Sequence, residues 1–220
     1  MRLANVGWVL CLVLGAPGMA LSEPLPVVNI RVVDLTEIGR DRIVDSLDVT
    51  RSLFSSVDVA VAWTYCSGMS DDCSTPLEAN EVWLRIVPGH ATQDGWAHKW
   101  VSAGALGFSN LDADPDAAVM STVFAGQVTR LAHAARASSR TLLGQVSAHE
   151  IAHLLLGTMN HTYTGLMAER WPTHTASRGR SFSADVGIQL RAAVLRRNRG
   201  RRHLVVPNGP VANGRRATVR

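Results

Sequence analysis

Hydrophobic residues recur with two spacings along the chain, and these spacings predict the secondary structure. In 27–34, Val28, Ile30 and Val32 alternate with polar residues, which is the period of a half-buried strand. From 39 to 54, apolar residues recur at helical spacing among charged ones, which is typical of an amphipathic helix. Further strands are predicted over 57–63, 82–86 and 117–124, and further helices over 127–137, 141–156 and 184–197. Strand, helix and strand in succession indicate a parallel pair joined by a right-handed crossover.

The predicted helix over 141–156 differs from the others because it is apolar nearly all round, as buried helices are. Its polar exceptions include His149, Glu150 and His153, in the order HEIAH. Residues four apart leave one face of a helix, so the two imidazoles can converge. Gly157 follows the last leucine, where a left-handed residue ends a helix and turns the chain back.

Two histidines and a glutamate inside an apolar helix need a compensating partner, because a buried polar group without one is costly. Zinc is such a partner: it takes neutral imidazoles as ligands and leaves a position for water in catalytic sites. Glu150 could then act as general base. The five letters alone also occur in ordinary helices with hydrogen-bonded histidines. His161 and Met167 beyond Gly157 favour zinc, because they could supply a further ligand and a floor to the site.

These residues resemble the metzincin zinc proteases, whose motif HExxHxxGxxH is followed by a turn bearing a methionine. The resemblance implies that His149, His153 and His161 are the zinc ligands, Glu150 the general base, and Met167 the methionine of the turn. It also implies an α+β (α/β-like) fold: a twisted mixed sheet with a backing helix, a central active-site helix, a Met-turn and a C-terminal helix.

Three features of the chain depart from the metzincin motif or compete with it. Gly157 stands one residue and His161 two residues later than the motif requires, and the methionine follows soon after. Glu169 and His174 are rival third ligands. Tyr163 could contribute a hydroxyl to the site or simply pack in its loop. By the same resemblance, 117–124 would be the edge strand that binds substrate, with an ordinary core strand as the alternative.

The two ends of the chain are predicted to lie outside the folded domain. Residues 1–20 combine Arg2, a short apolar run and small residues at Gly18 and Ala20, as in a signal peptide, so we expect an exported (secreted or periplasmic) protein without a transmembrane anchor. The domain would cover 21–197 and a basic disordered tail 198–220. Lys and Arg number 10 against 17 acidic residues in 1–169, but 12 against 1 in 170–220.

The remaining charge and cysteine patterns indicate partners and the redox compartment. The Arg-rich tail could contact anionic surfaces, and nothing in an exported chain indicates nucleic acid. Cys66 and Cys73 flank a loop that a disulfide could close in an oxidising compartment, although free thiols are also compatible with the sequence.

The sequence therefore predicts a secreted zinc-dependent endopeptidase that acts on protein or peptide substrates. Two alternatives stay open at this stage. One is a non-catalytic exported binding module stabilised by zinc, and the other is a zinc hydrolase of a non-peptide amide.

Overall fold

A computed structural model describes residues 24–66, 73, 75–78, 80–89, 104–111 and 119–204 of the chain. Within these ranges one mixed sheet has the strand order β2-β1-β3-β5-β4. Its strands are β1 (Val27–Asp34), β2 (Ala60–Cys66), β3 (Glu81–Val87), β4 (Gly107–Asn110) and β5 (Met120–Phe124). β1 pairs in parallel with β2 and β3, and β3 pairs in parallel with β5, whereas β4 is antiparallel to β5. This mixed sheet with helices confirms the α+β class.

The main core lies between the sheet and its helices. The helices are α1 (Arg40–Ser55), α2 (Ala125–Ala135), α3 (Ser139–Leu156), α4 (Thr173–Ala176) and α5 (Ala184–Leu204). Alternate strand residues such as Ile30 and Leu84 are fully buried in one cluster with residues of α1, α3 and α5. α3 is buried from Leu142 to Leu155, as the apolar residues on nearly all of its faces predict. The HEIAH segment is therefore packed from several sides.

β2 begins later than its hydrophobic alternation predicts. The last turn of α1 continues beyond Ser55, because Val57 N donates to Phe54 O and Asp58 N donates to Ser55 O. Asp58 then adopts a left-handed conformation with φ 56°. Extended pairing with β1 consequently starts only at Ala60, opposite Val27.

The edge strand near α3 is not the one that the sequence predicted. The strand predicted over 117–124 is Met120–Phe124, and it lies inside the sheet between β3 and β4. The edge is β4 (Gly107–Asn110), in a stretch where no strand was predicted. A four-residue strand that contains glycine carries too short a pattern to recognise, and its pairing with β5 is what defines it. Residues 117 and 118 lie outside the described residues.

The C-terminal helix also extends beyond its prediction. α5 continues to Leu204, so the boundary predicted at 197 and 198 falls within it. Three of the seven added residues are arginines, which favour helix, and the first proline after α5 is Pro207. The predicted signal peptide, 1–20, and residues 205–220 lie outside the described residues. Among those that are described, no helix combines the length and the apolarity that crossing a bilayer requires.

A disulfide joins Cys66, at the end of β2, to Cys73, with Cα atoms 5.7 Å apart. Of the two states compatible with the sequence, the structure has the oxidised one. Nearby, the buried Arg31 donates to Thr75 O, Pro76 O and Glu81 Oε2, which ties the chain before β3 to β1.

Candidate functional site

α3 begins and ends at defined caps, and these set the position of its histidines. The Ser138 side chain accepts from Thr141 N at 3.3 Å, so this serine is the N-cap. Gly157 has φ 63° and ψ 32°, and its N–H donates to His153 O at 2.9 Å. A left-handed residue at this point stops the helix. The chain can then return past its C-terminal end.

This return brings three imidazoles together. His153 Nε2 lies 3.0 Å from His149 Nε2 and 3.2 Å from His161 Nε2. One ligand atom from each of the three residues lies within 4.8 Å of the others. His149 and His153 are buried, whereas His161 is exposed. The three histidines predicted as ligands therefore form a group that could hold a metal ion.

Backbone carbonyls determine the tautomers of the two buried histidines. His149 Nδ1 donates to Leu166 O at 2.8 Å, and His153 Nδ1 donates to Thr158 O at 2.7 Å. A carbonyl oxygen can only accept, so each Nδ1 carries the proton and each neutral ring presents a lone pair at Nε2. Both carbonyls lie after Gly157. The segment that carries His161 thus also orients the histidines of α3.

Burial keeps these rings neutral. Loss of solvation lowers the pKa of His149 to about 3 and that of His153 to about 4. Two neutral Nε2 lone pairs 3.0 Å apart repel each other, and a cation between them would turn this repulsion into coordination. Tetrahedral zinc with Zn–N of about 2.0–2.1 Å requires nitrogens roughly 3.3 Å apart, close to the observed distances. The donor set therefore fits zinc.

Glu150 is buried beside this group. Loss of solvation raises the pKa of its carboxyl to about 8, against a smaller lowering by the hydrogen bond from Ser109. Ser109 Oγ, on β4, donates to Glu150 Oε2 at 2.8 Å. A Cβ on Gly107 would lie 2.9 Å from Glu150 Oε1, so only glycine leaves room for the carboxylate. Sequence reasoning missed both β4 residues, because no local pattern connects them to α3.

The three histidines and Glu150 line a cavity of about 990 Å³. β4 and the residues just before it form one wall, and α2 forms another, for example at Leu131. The chain from Ala168 to Thr173 closes a third side and includes Trp171. The cavity is large enough for several side chains of an extended ligand.

Trp171 and Arg180 support the site, and the sequence carried no signal for either role. The Trp171 ring meets His149 edge-on at 5.9 Å between centroids, and the Arg180 guanidinium lies 4.8 Å over the Trp171 ring. Arg180 also donates to Gly165 O and to Thr175 Oγ1. Burial lowers the pKa of Arg180. This contact network ties the segment around Leu166, which orients His149, to the chain before α5.

The other residues singled out in the sequence lie apart from the three-histidine group. Glu169 lines the cavity but is exposed and outside the group, and His174 is exposed on α4. Tyr163 is fully exposed, so it does not pack in its loop, and it does not line the cavity. Met167 is buried directly after Leu166, whose carbonyl binds His149.

Comparison with known proteins finds a solved structure of similar fold but no match to a protein family or a curated sequence. No protein-family model matches the sequence, and no curated protein sequence matches it. The structure is similar to the crystal structure of archaemetzincin from Methanopyrus kandleri, with a TM-score of 0.50 and 12% sequence identity. The match covers 77% of this chain and 97% of that chain. At this identity the similarity shows the fold alone, and the five-stranded mixed sheet with its helices matches the archaemetzincin fold.

Proposed function

We propose that the protein is an exported zinc-dependent endopeptidase. The observation that carries the proposal is the convergence of three Nε2 atoms next to a buried carboxylate, at the wall of a large cavity. His149, His153 and His161 would hold the metal. The similarity of the fold to that of archaemetzincin also supports a zinc metallopeptidase.

A bound zinc ion would supply a Lewis acid that polarises a carbonyl oxygen and lowers the pKa of a water molecule. Glu150 would take the proton of the attacking water on its carboxylate and pass it to the leaving amine. In the metal-free protein, burial raises the pKa of its carboxyl to about 8. The charge of a bound cation would favour the ionised form, which is the form that a general base needs. The carbonyls of Leu166 and Thr158 would keep both buried rings in the ligating tautomer throughout.

An extended peptide is the substrate that the position of the cavity favours. β4 forms both a wall of the cavity and the edge of the sheet. A peptide can add to such an edge as a further strand, and its backbone hydrogen bonds make binding tolerant of sequence. Export is proposed from 1–20 and from the disulfide between Cys66 and Cys73. N-terminal sequencing of exported protein should show a start close to residue 21.

The test of the reaction compares the wild type with Glu150→Gln on a mixed peptide library. We expect cleavage by the zinc-loaded wild type, loss of cleavage with chelator, and recovery with added zinc. Glu150→Gln should retain zinc and lose about 100- to 10,000-fold in kcat, because the ligands remain and the base is gone. Glu37→Gln, at an exposed position before α1, is the matched control and should be fully active. A fully metallated wild type that cleaves no peptide would refute the proposal.

A further inference from the structure

Two serines from neighbouring strands meet Glu150 at both of its acceptor groups. Ser109 Oγ, on β4, lies 2.8 Å from Glu150 Oε2 and 2.7 Å from the Glu150 backbone oxygen. Ser121 Oγ, on β5, lies 3.0 Å from the same backbone oxygen and 3.0 Å from Ser109 Oγ. The two serines are directly opposite each other in the β4–β5 register, and both are buried.

Counting protons assigns these contacts when Glu150 is ionised. The two hydroxyls carry one proton each, and they face two acceptor atoms of Glu150, its backbone oxygen and Oε2. Both acceptors are satisfied when Ser121 donates to the backbone oxygen and Ser109 donates to Oε2. Ser109 is thus the hydroxyl that orients the carboxylate.

Gly107 acts on the same carboxylate from the same face of β4. Residues two apart on a strand point to one side, so Gly107 and Ser109 both face α3. A Cβ at Gly107 would lie 2.8 Å from Glu150 Cγ, closer than carbon atoms pack. One residue of β4 therefore leaves space for the Glu150 side chain, and the other supplies a hydrogen bond to it.

We propose that edge strand β4 positions the general base, with Ser109 as a positioning residue that aims the Glu150 carboxylate. This inference rests on the proposed function. Its consequence is that β4 would both bind the substrate backbone and hold the Glu150 carboxylate. The position of a bound peptide relative to the base would then be fixed by a single strand. Ser109 acts through Glu150 and would not touch the substrate.

The test measures kcat, KM and zinc content for Ser109→Ala. We expect kcat to fall about 10- to 100-fold, as for loss of other orienting contacts, with KM within twofold of the wild type and zinc content unchanged. Ser109→Thr and Ser109→Val form a matched pair of equal shape that differs in the hydroxyl. The threonine variant should exceed the valine variant in kcat by a similar factor. Ser52→Ala, on an exposed turn of α1, is the control for a serine-to-alanine change elsewhere.

An activity-independent readout separates this inference from the proposed function. The infrared carboxyl band that disappears in Glu150→Gln should shift in Ser109→Ala and return in Ser109→Thr, because its hydrogen bond is lost and then restored. Equal kcat values for the threonine and valine variants, or an unshifted band in Ser109→Ala, would overturn the role of Ser109. A zinc-loaded wild type without peptidase activity would overturn the proposed function instead, while the infrared comparison still decides whether Ser109 orients the carboxylate.

Discussion

Replacing Gly144 by alanine should force α3 away from α1. A Cβ at this position would lie 2.4 Å from Ser46 O and 2.6 Å from Val49 Cβ. Carbon–oxygen contacts normally begin at about 3.3 Å, so the two helices would have to separate by roughly 1 Å. Thr50 Oγ1 donates to Gly144 O at 2.9 Å, and this buried hydrogen bond would be stretched by the same movement.

Three contributions determine the expected change in the free energy of unfolding. Overpacking costs about 1–3 kcal/mol. The weakened hydrogen bond from Thr50 costs about 1 kcal/mol more. The higher helix propensity of alanine stabilises the folded state by about 1 kcal/mol and offsets part of this loss. We therefore expect Gly144→Ala to be destabilised by about 2 kcal/mol, which corresponds to a Tm lower by about 4–8 °C for a domain of this size.

Urea unfolding of the metal-free protein measures this change, with a lower midpoint and an unchanged m-value as the expected result. Gly179→Ala is the matched control, because a Cβ there meets nothing within 4 Å and φ is not positive. Its stability should stay within about 0.5 kcal/mol of the wild type. If Gly144→Ala were as stable as Gly179→Ala, the close contact between α1 and α3 would be refuted. Because α3 carries His149 and His153, zinc affinity should fall together with stability.

Three further outcomes are expected. His161→Ala should weaken zinc binding by more than roughly 100-fold, the upper end for loss of a residue that only contacts a ligand, whereas His174→Ala should leave zinc affinity unchanged. Competition with a chelator measures both affinities, and equal effects would contradict the ligand assignment. Zinc at 100 times its Kd should stabilise the protein by about 2.7 kcal/mol, and an identical Tm with chelator would contradict metal binding. Burial and the hydrogen bond to Asp34 raise the pKa of Tyr65 from 10.0 to about 12, so the stabilisation from its neutral form is present below pH 10 and lost as pH rises to about 12. Tyr65→Phe should therefore show a flatter loss of stability over that range in urea unfolding, and an unchanged slope would refute the shift.

Most of the helical part of the site was predictable from the sequence. The spacing of His149 and His153 is a local property of a helix, and the apolar surround of α3 predicted its burial. Gly157 has the left-handed conformation that its place after the last leucine predicted. The structure then brings His161 to the other two histidines, as the resemblance to metzincins implied, and leaves Glu169 and His174 outside the group.

The surroundings of Glu150 were not predictable in the same way. Ser109 precedes Glu150 by 41 positions, and β4 is recognisable only through its pairing with β5. A short strand with glycine at its start has no hydrophobic period to detect. Trp171 and Arg180 both lie between α3 and α5, and the Arg180 guanidinium packs over the Trp171 ring. No spacing in the sequence encodes this contact.

The sequence by itself determined the helix that bears His149, Glu150 and His153 and its end at Gly157, because these depend on residues within a few helical turns. Only the tertiary structure decided which strand forms the sheet edge, which hydroxyl meets Glu150 and which carbonyls set the tautomers of His149 and His153. These features depend on contacts between segments far apart in the chain, and such contacts follow from packing of the whole sheet against α3.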